Sequence, residues 1–343
     1  MTAAQTVTSA DGTMIAYEKV GSGPALVLVD GALCYREFGP ARSLAESLKD
    51  QFTVYFYDRR GRGESGDTLP YAVEREIEDL AAVITAAGGD AAVMGQSSGG
   101  GLALEAAASG VPIRKLAVYE APYVGRTKAN GRKVDDLGTL RQLIAADDRG
   151  AAVSYFMVRM VGAPAFVPIM MRLMPKVWKQ LKSVAHTLPY DTAIMDGFDV
   201  PTERLRTISV PTLVMGGSKG KANMQAAVQG VADAVPGAQR RILDGQTHQV
   251  SEKALAPVLV EFLAAEARNQ RRPREVAARG IAAPDRTIPA RVPRDTARRL
   301  PPSGLAVGGS RPVRRARGSS RRAPSIRLRR SPPRGRQRRR LTC

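Results

Sequence analysis

Residues 95–99 read Gly-Gln-Ser-Ser-Gly, and two further glycines follow. Two adjacent hydroxyls among glycines usually mean a flexible loop. Here an apolar run, Ala91 to Met94, precedes them, and a strong helix former, Gly100 to Ala108, follows. G-x-S-x-G between a strand and a helix is the setting in which a serine is held on a sharp, strained turn and exposed for chemistry. The glycines two residues before and after Ser97 remove side chains that would collide across such a turn. Ser97, rather than Ser98, is therefore the candidate nucleophile, presented at the carboxyl edge of a sheet where open α/β folds bind ligands. Ser98, opening the helix, places its backbone amide beside Ser97, aimed at developing negative charge.

A serine nucleophile needs a base, and the chain has two histidines, His186 and His248. His248 lies in LDGQTHQVSEK, after the last strand pattern and before a terminal helix, on the sheet edge expected for Ser97. His186 lies in LKSVAHTLPYD, within a helical stretch away from the strand pattern. His248 is the expected base, and His186 is expected to touch substrate at most.

These residues require a frame. Strand patterns fall at Thr13–Val20, Ala25–Val29, Phe52–Tyr57, Ala91–Met94, Lys115–Glu120, Pro211–Met215 and Arg241–Leu243, with helix patterns at Ala41–Leu48, Ala72–Ala87, Gly100–Ala108 and from Ala222 and Glu252. Apolar strands separated by helices predict an α/β fold with a mostly parallel sheet flanked by helices. From Pro122 to about Thr207 the alternation gives way to helical sequence, which predicts a lid insertion (about 122–207) within a domain spanning residues 1–267.

Composition bounds the partners. The net charge of +20 is concentrated after residue 267, where residues 268–343 carry 24 arginines, no lysine and three acids, a charge of +21. The other residues hold 28 bases and 29 acids, so the body is balanced. An Arg/Pro/Gly/Ser-rich tail without apolar periodicity cannot offset the entropy of ordering and is predicted to be disordered. It reads as an electrostatic arm, as a solvated tail without a dedicated role, or as a terminus translated in a shifted frame of GC-rich DNA. Each reading allows nonspecific polyanion binding through charge, and none calls for a specific nucleic-acid partner. Two cysteines, Cys34 and Cys343, give no disulfide framework and point to a reducing, cytoplasmic setting. The first residues show no basic-then-apolar leader, and no run of about 18 apolar residues predicts a membrane span.

Several separate stretches together resemble the α/β-hydrolase superfamily, in its serine-nucleophile, esterase- and lipase-like branch. They are ADGTMIAYEKVGSGPALVLVDG, YDRRGRGESG, VMGQSSGGG, VPTLVMGG and LDGQTHQV. The resemblance runs from about Thr8 to Leu263. It implies a Ser–acid–His triad and an oxyanion hole built partly from the backbone after the strand Ala25–Val29, here Ala32. Family members usually carry His-Gly after that strand, where this chain has Asp30-Gly31. A nearby carboxylate would oppose an oxyanion unless paired, and Arg60 is the expected partner, with a simple loop-capping role for Asp30 as the alternative.

The resemblance also implies an acid after the strand Pro211–Met215, yet GGSKGKANM contains none. Some members carry the acid one strand earlier, where Glu120 stands. A lone acid ending a buried strand is costly unless partnered, so Glu120 is the expected triad acid. A structural role for Glu120, a Ser–His dyad, or an acid such as Asp196 or Asp199 remain as alternatives.

In the lid sequence, Phe156, Met157, Met160, Phe166, Met170, Met171, Met174 and Trp178 are candidates for a pocket ceiling over an apolar small-molecule substrate. The expected function is hydrolysis of an ester or related carbonyl substrate through an acyl-enzyme, with no metal and no organic cofactor. The alternatives are a hydrolase-like binding protein without catalysis, or perhydrolase or carbon–carbon bond hydrolase chemistry on the same residues.

Overall fold

The computed structural model describes residues 4–127 and 131–264. The domain boundary at 267 and the tail 268–343 lie outside the described residues. Eight strands form one sheet: β1 (Gln5–Thr8), β2 (Met14–Val20), β3 (Ala25–Val29), β4 (Thr53–Tyr57), β5 (Ala91–Gln96), β6 (Ile113–Tyr119), β7 (Thr212–Gly217) and β8 (Gln239–Leu243). The spatial order is β1-β2-β4-β3-β5-β6-β7-β8. The β1–β2 and β2–β4 pairs are antiparallel, and every pair from β4–β3 to β7–β8 is parallel.

The helices are α1 (Ala41–Leu48), α2 (Val73–Ala86), α3 (Ser98–Ala108), α4 (Asp136–Ala145), α5 (Arg149–Tyr155, running into a π turn at Phe156–Met160), α6 (Phe166–Arg172), α7 (Pro175–Ser183), α8 (Leu188–Ile194), α9 (Thr202–Leu205) and α10 (Ala222–Ala234). A last helix covers 252–264. None of these helices is long and apolar enough to cross a membrane.

The apolar strands read as continuous runs because both faces of the sheet are covered. Alternate side chains serve opposite layers. Val27, Val29, Val93, Val118 and Val214 pack in the core with α2, α3 and α10. Leu26, Leu28, Ala92, Met94, Ala117, Leu213 and Met215 pack in the core with α1 and the last helix. A third apolar cluster joins the lid to the loop after β3: Leu33 lies with Leu140, Val153, Leu181, Val184 and Leu188.

The sequence patterns miss β1, a four-residue edge strand whose residues are mostly exposed. Such a strand carries no apolar run to detect. The lid divides the expected ceiling residues. Phe156, Met157, Met160, Met171 and Trp178 pack on the lid cluster, whereas Phe166, Met170 and Met174 are 62%, 54% and 53% exposed. The helical spacing of the stretch left open which of its faces would turn inward.

Candidate active site

Ser97 sits between β5 and α3 at φ 55°, ψ −130°, a left-handed conformation that side chains rarely adopt. The turn is closed tightly enough that a Cβ at Gly95 would stand 2.5 Å from the Gly99 carbonyl oxygen, and one at Gly99 would stand 2.2 Å from that of Val29. Both glycines are therefore steric requirements of the turn. The Ser97 amide donates to the Tyr119 carbonyl at 2.9 Å, tying the elbow to the end of β6.

The residue that follows β6 is Glu120, also at positive φ (47°) and only 1% exposed. Its Oε1 accepts from the Gly217 amide at 2.8 Å, and its Oε2 lies 2.8 Å from His248 Nδ1. His248 Nε2 in turn lies 3.1 Å from Ser97 Oγ. The histidine comes from the loop after β8, which is held from two sides. Gln96 Nε2 donates to the His248 carbonyl at 3.3 Å, and Tyr119 Oη donates to the Thr247 carbonyl at 2.5 Å. The pair Gly216-Gly217, which stands where an acid was expected, has a steric role here. A Cβ on Gly217 would stand 2.2 Å from the Gln246 carbonyl and 2.9 Å from Tyr119 Oη. The acid-free loop thus leaves room for the histidine loop and supplies the amide that holds Glu120.

The other candidate acids are occupied elsewhere: Asp196 with Arg204 and Asp199 with Lys133. His186 faces Asp67 at 3.7 Å, and burial pushes its imidazole below the ordinary histidine range.

The loop after β3 passes against the elbow. A Cβ on Gly31 would lie 2.9 Å from Ser97 Cβ. Arg62 Nη1 donates to the Gly31 carbonyl at 2.7 Å. The Gly31 carbonyl and the Ala32 N–H belong to one planar trans peptide and point in opposite directions, so a grip on the first fixes the second. Neither the Ala32 nor the Ser98 amide donates to an acceptor among the described residues.

Asp30 is not paired with Arg60, contrary to expectation. Arg60 is engaged bidentately by Asp79 and also by Asp11. Asp30 is buried and takes part in no ion pair among the described residues. Burial dominates and pushes its carboxyl up to about 7, against the opposing fields of Arg62 and Arg59.

Beneath the elbow lies a network that the sequence did not disclose. Asp191, on α8 of the lid, is 3% exposed. It accepts from Ser98 Oγ, Arg59 Nη1 and Arg62 Nη2, each at 2.7 Å. Arg59 also pairs with Glu76 and donates to the Asp30 carbonyl. Burial alone would raise the Asp191 carboxyl, but Arg62, Arg59 and the Ser98 hydroxyl outweigh it and hold it below the usual range. The Ser98 side chain, which the sequence left without a task, thus anchors the lid. Arg59 and Arg62 were visible in RRGRGESG, but Asp191 stands in a helical stretch with nothing to mark it as their partner.

Comparison with known proteins agrees with this architecture. The sequence pattern of the alpha/beta hydrolase family matches residues 23–259. A pimeloyl-[acyl-carrier protein] methyl ester esterase from Xanthomonas campestris pv. campestris is 29% identical over 245 residues, covering 67% of this chain and 89% of that protein. The crystal structure of an alpha/beta hydrolase from Sphaerobacter thermophilus DSM 20745 is 52% identical, with a TM-score of 0.69 over 76% of this chain and 100% of that chain. An enol-lactonase from Burkholderia xenovorans LB400, 21% identical with a TM-score of 0.55 over 76% of this chain and 100% of that chain, shares the fold. With more than half of its length matched, the chain belongs to the alpha/beta hydrolase family and is a hydrolase.

Proposed function

We propose that the protein is a serine hydrolase that cleaves esters of small, mainly apolar acids through an acyl-enzyme. The observation that carries this reading is the unbroken line of contacts from Glu120 through His248 to Ser97, at 2.8 and 3.1 Å. In the tautomer with the proton on Nδ1, Glu120 accepts that proton and leaves Nε2 free to take one from Ser97 Oγ. The serine oxygen then attacks the substrate carbonyl carbon, whose oxygen becomes an oxyanion. The amides of Ala32 and Ser98 receive that charge. His248 returns the proton to the leaving alcohol as the carbon–oxygen bond breaks. Water, deprotonated by the same nitrogen, releases the acid and restores Ser97.

Glu120 is suited to hold the imidazole and stabilise its cation, because the Gly217 amide fixes one oxygen and leaves the other against Nδ1 in a buried site. Apolar substrates are favoured by the lid cluster, which holds Met157 and Met160 together with Ala32 and Leu33 of the loop that passes Ser97. Ester chemistry also agrees with the methyl ester esterase activity for which the Xanthomonas relative is named.

The test is a series of p-nitrophenyl esters of increasing acyl length, with the wild-type chain and Ser97→Ala side by side. The proposal expects turnover that rises with short apolar chains and vanishes in the variant. Binding of these esters without turnover by the wild-type chain would instead indicate a hydrolase-like binding protein.

A further inference from the structure

The helix α6 carries its apolar stripe on the outside. Phe166, Ile169 and Met170 share one helical face by their i, i+3, i+4 spacing, and Leu173 and Met174 follow directly in the turn to α7. In a helix packed on a core this is the buried face. Here these five are 53–72% exposed, while Val167 and Met171 are partly buried and Pro168 is buried. Val161, just before α6, is 49% exposed. Six of the nine exposed large apolar residues among the described residues therefore fall between Val161 and Met174, a patch rather than ordinary scatter.

The sequence that carries this patch is cationic. From Arg149 to Tyr190 the sequence has six cations and no Asp or Glu. Arg149 lies 3.5 Å from Asp147. Arg159, Arg172, Lys176, Lys179 and Lys182 form no ion pair among the described residues. Helix α7, which carries the lysines and Trp178, packs directly against α6. Arg149, Arg172, Lys182 and Trp178 also line an open cleft of about 600 Å³, with Arg172 lying over the Trp178 ring at 5.2 Å. Asp147 and Asp148 line the same cleft. Asp148 is engaged in capping α5 through the Ala151 amide, and three cations against two acids leave the cleft net positive.

These charges decide what covers the patch. A second copy meeting it face to face would oppose six cations with six more. The Arg-rich residues 268–343 carry the same sign. The occupant is therefore anionic. Three of the five unpaired cations are lysines, a residue depleted in protein–protein contacts and enriched beside apolar stripes on helices that lie in a lipid interface. We propose that α6 and α7 seat on the surface of an anionic phospholipid bilayer. Phe166, Ile169, Met170 and Leu173 enter the acyl boundary, and Arg172, Lys176, Lys179 and Lys182 meet headgroup phosphates.

The test uses the full chain. Trp178 is its single tryptophan, so a Trp178→Phe background lets Phe166→Trp report alone, with Met14→Trp, at an exposed position on β2, as the control. Residues 268–343 will draw the protein to anionic vesicles by charge, so binding itself is not the readout. With phosphatidylcholine vesicles containing phosphatidylglycerol, Phe166→Trp emission should shift to the blue and be quenched by chain-brominated lipid. Met14→Trp should show neither effect. At about 1 M salt, where exposed charges are screened, Phe166→Asp/Leu173→Asp should lower vesicle retention at least about tenfold, because only apolar burial remains. Water-like Phe166→Trp emission on vesicles that have captured the protein would overturn the proposal, as would equal quenching of the two reporters. A blue shift with polyglutamate but not with vesicles would overturn it in favour of an acidic protein partner.

Discussion

Replacing Glu120 with glutamine isolates the charge of one buried side chain while keeping its shape. Glu120 has two engaged oxygens, one accepting from the Gly217 amide and one facing His248 Nδ1, each at 2.8 Å. Glutamine can satisfy only one of these. If its carbonyl faces Gly217, its amide donates to Nδ1 and forces the ring proton onto Nε2, where it can no longer accept from Ser97. If its carbonyl faces His248, two donors confront each other in a site that is 1% exposed, at about 1–3 kcal/mol for the unmet group. In neither orientation is the imidazolium stabilised. By analogy with triads whose acid is neutralised, kcat should fall about 10³–10⁴-fold, or roughly 4–5.5 kcal/mol of transition-state stabilisation. KM should change little, because Glu120 meets the histidine and not the substrate. The assay is steady-state hydrolysis of a short p-nitrophenyl ester, with circular dichroism to establish folding. A folded Glu120→Gln within tenfold of wild type would mean that the carboxylate charge is not needed at His248.

Asp191→Ala should destabilise the fold by about 3–5 kcal/mol in urea titration, because it strips the shared carboxylate from two buried guanidinium groups; a loss under about 1 kcal/mol would mean that these charges are solvated. Ser98→Ala removes only a hydroxyl that anchors Asp191 and leaves the amide, so kcat should stay within about tenfold of wild type while stability falls by about 1.5–3 kcal/mol, the range for a hydrogen bond to a charged group. For Asp30, burial raises the folded carboxyl from 3.8 to about 7, so the folded state binds the proton more tightly than the unfolded chain. The stability of wild type relative to Asp30→Asn should therefore be greatest below pH 3.8 and decline as the pH rises through about 7; a difference that is flat or rises across that window, measured by denaturant unfolding, would contradict the buried, neutral carboxyl.

Much of the frame was legible because both faces of the sheet are covered. Ala25–Val29 and Ala41–Leu48 are found with the bounds their patterns give, and β4 to β8 within two residues. Residues 95–101 were readable because Gly95, Gly99 and Gly101 answer to steric contacts under 3 Å. The empty loop after β7 pointed to Glu120 only by elimination, and what it contributes, the Gly217 amide, is a backbone group that no side-chain pattern announces. The partners of charged residues were the hardest to read. Arg60 went to Asp11 and Asp79 rather than Asp30, and Asp191 reaches Arg59 from 132 residues away. Which face of a lid helix turns inward depends on packing, and α6 turns its apolar stripe outward.

The central claim is that Ser97 becomes covalently bonded to substrate after losing its proton to His248. A fluorophosphonate that reports only activated serines, followed by digestion and mass spectrometry, tests it most directly. One stoichiometric adduct is expected on the peptide containing Ser97, resolved to that residue by fragmentation, and lost in both Ser97→Ala and His248→Ala. An adduct on Ser98, or labelling of Ser97 that survives His248→Ala at the wild-type rate, would contradict it.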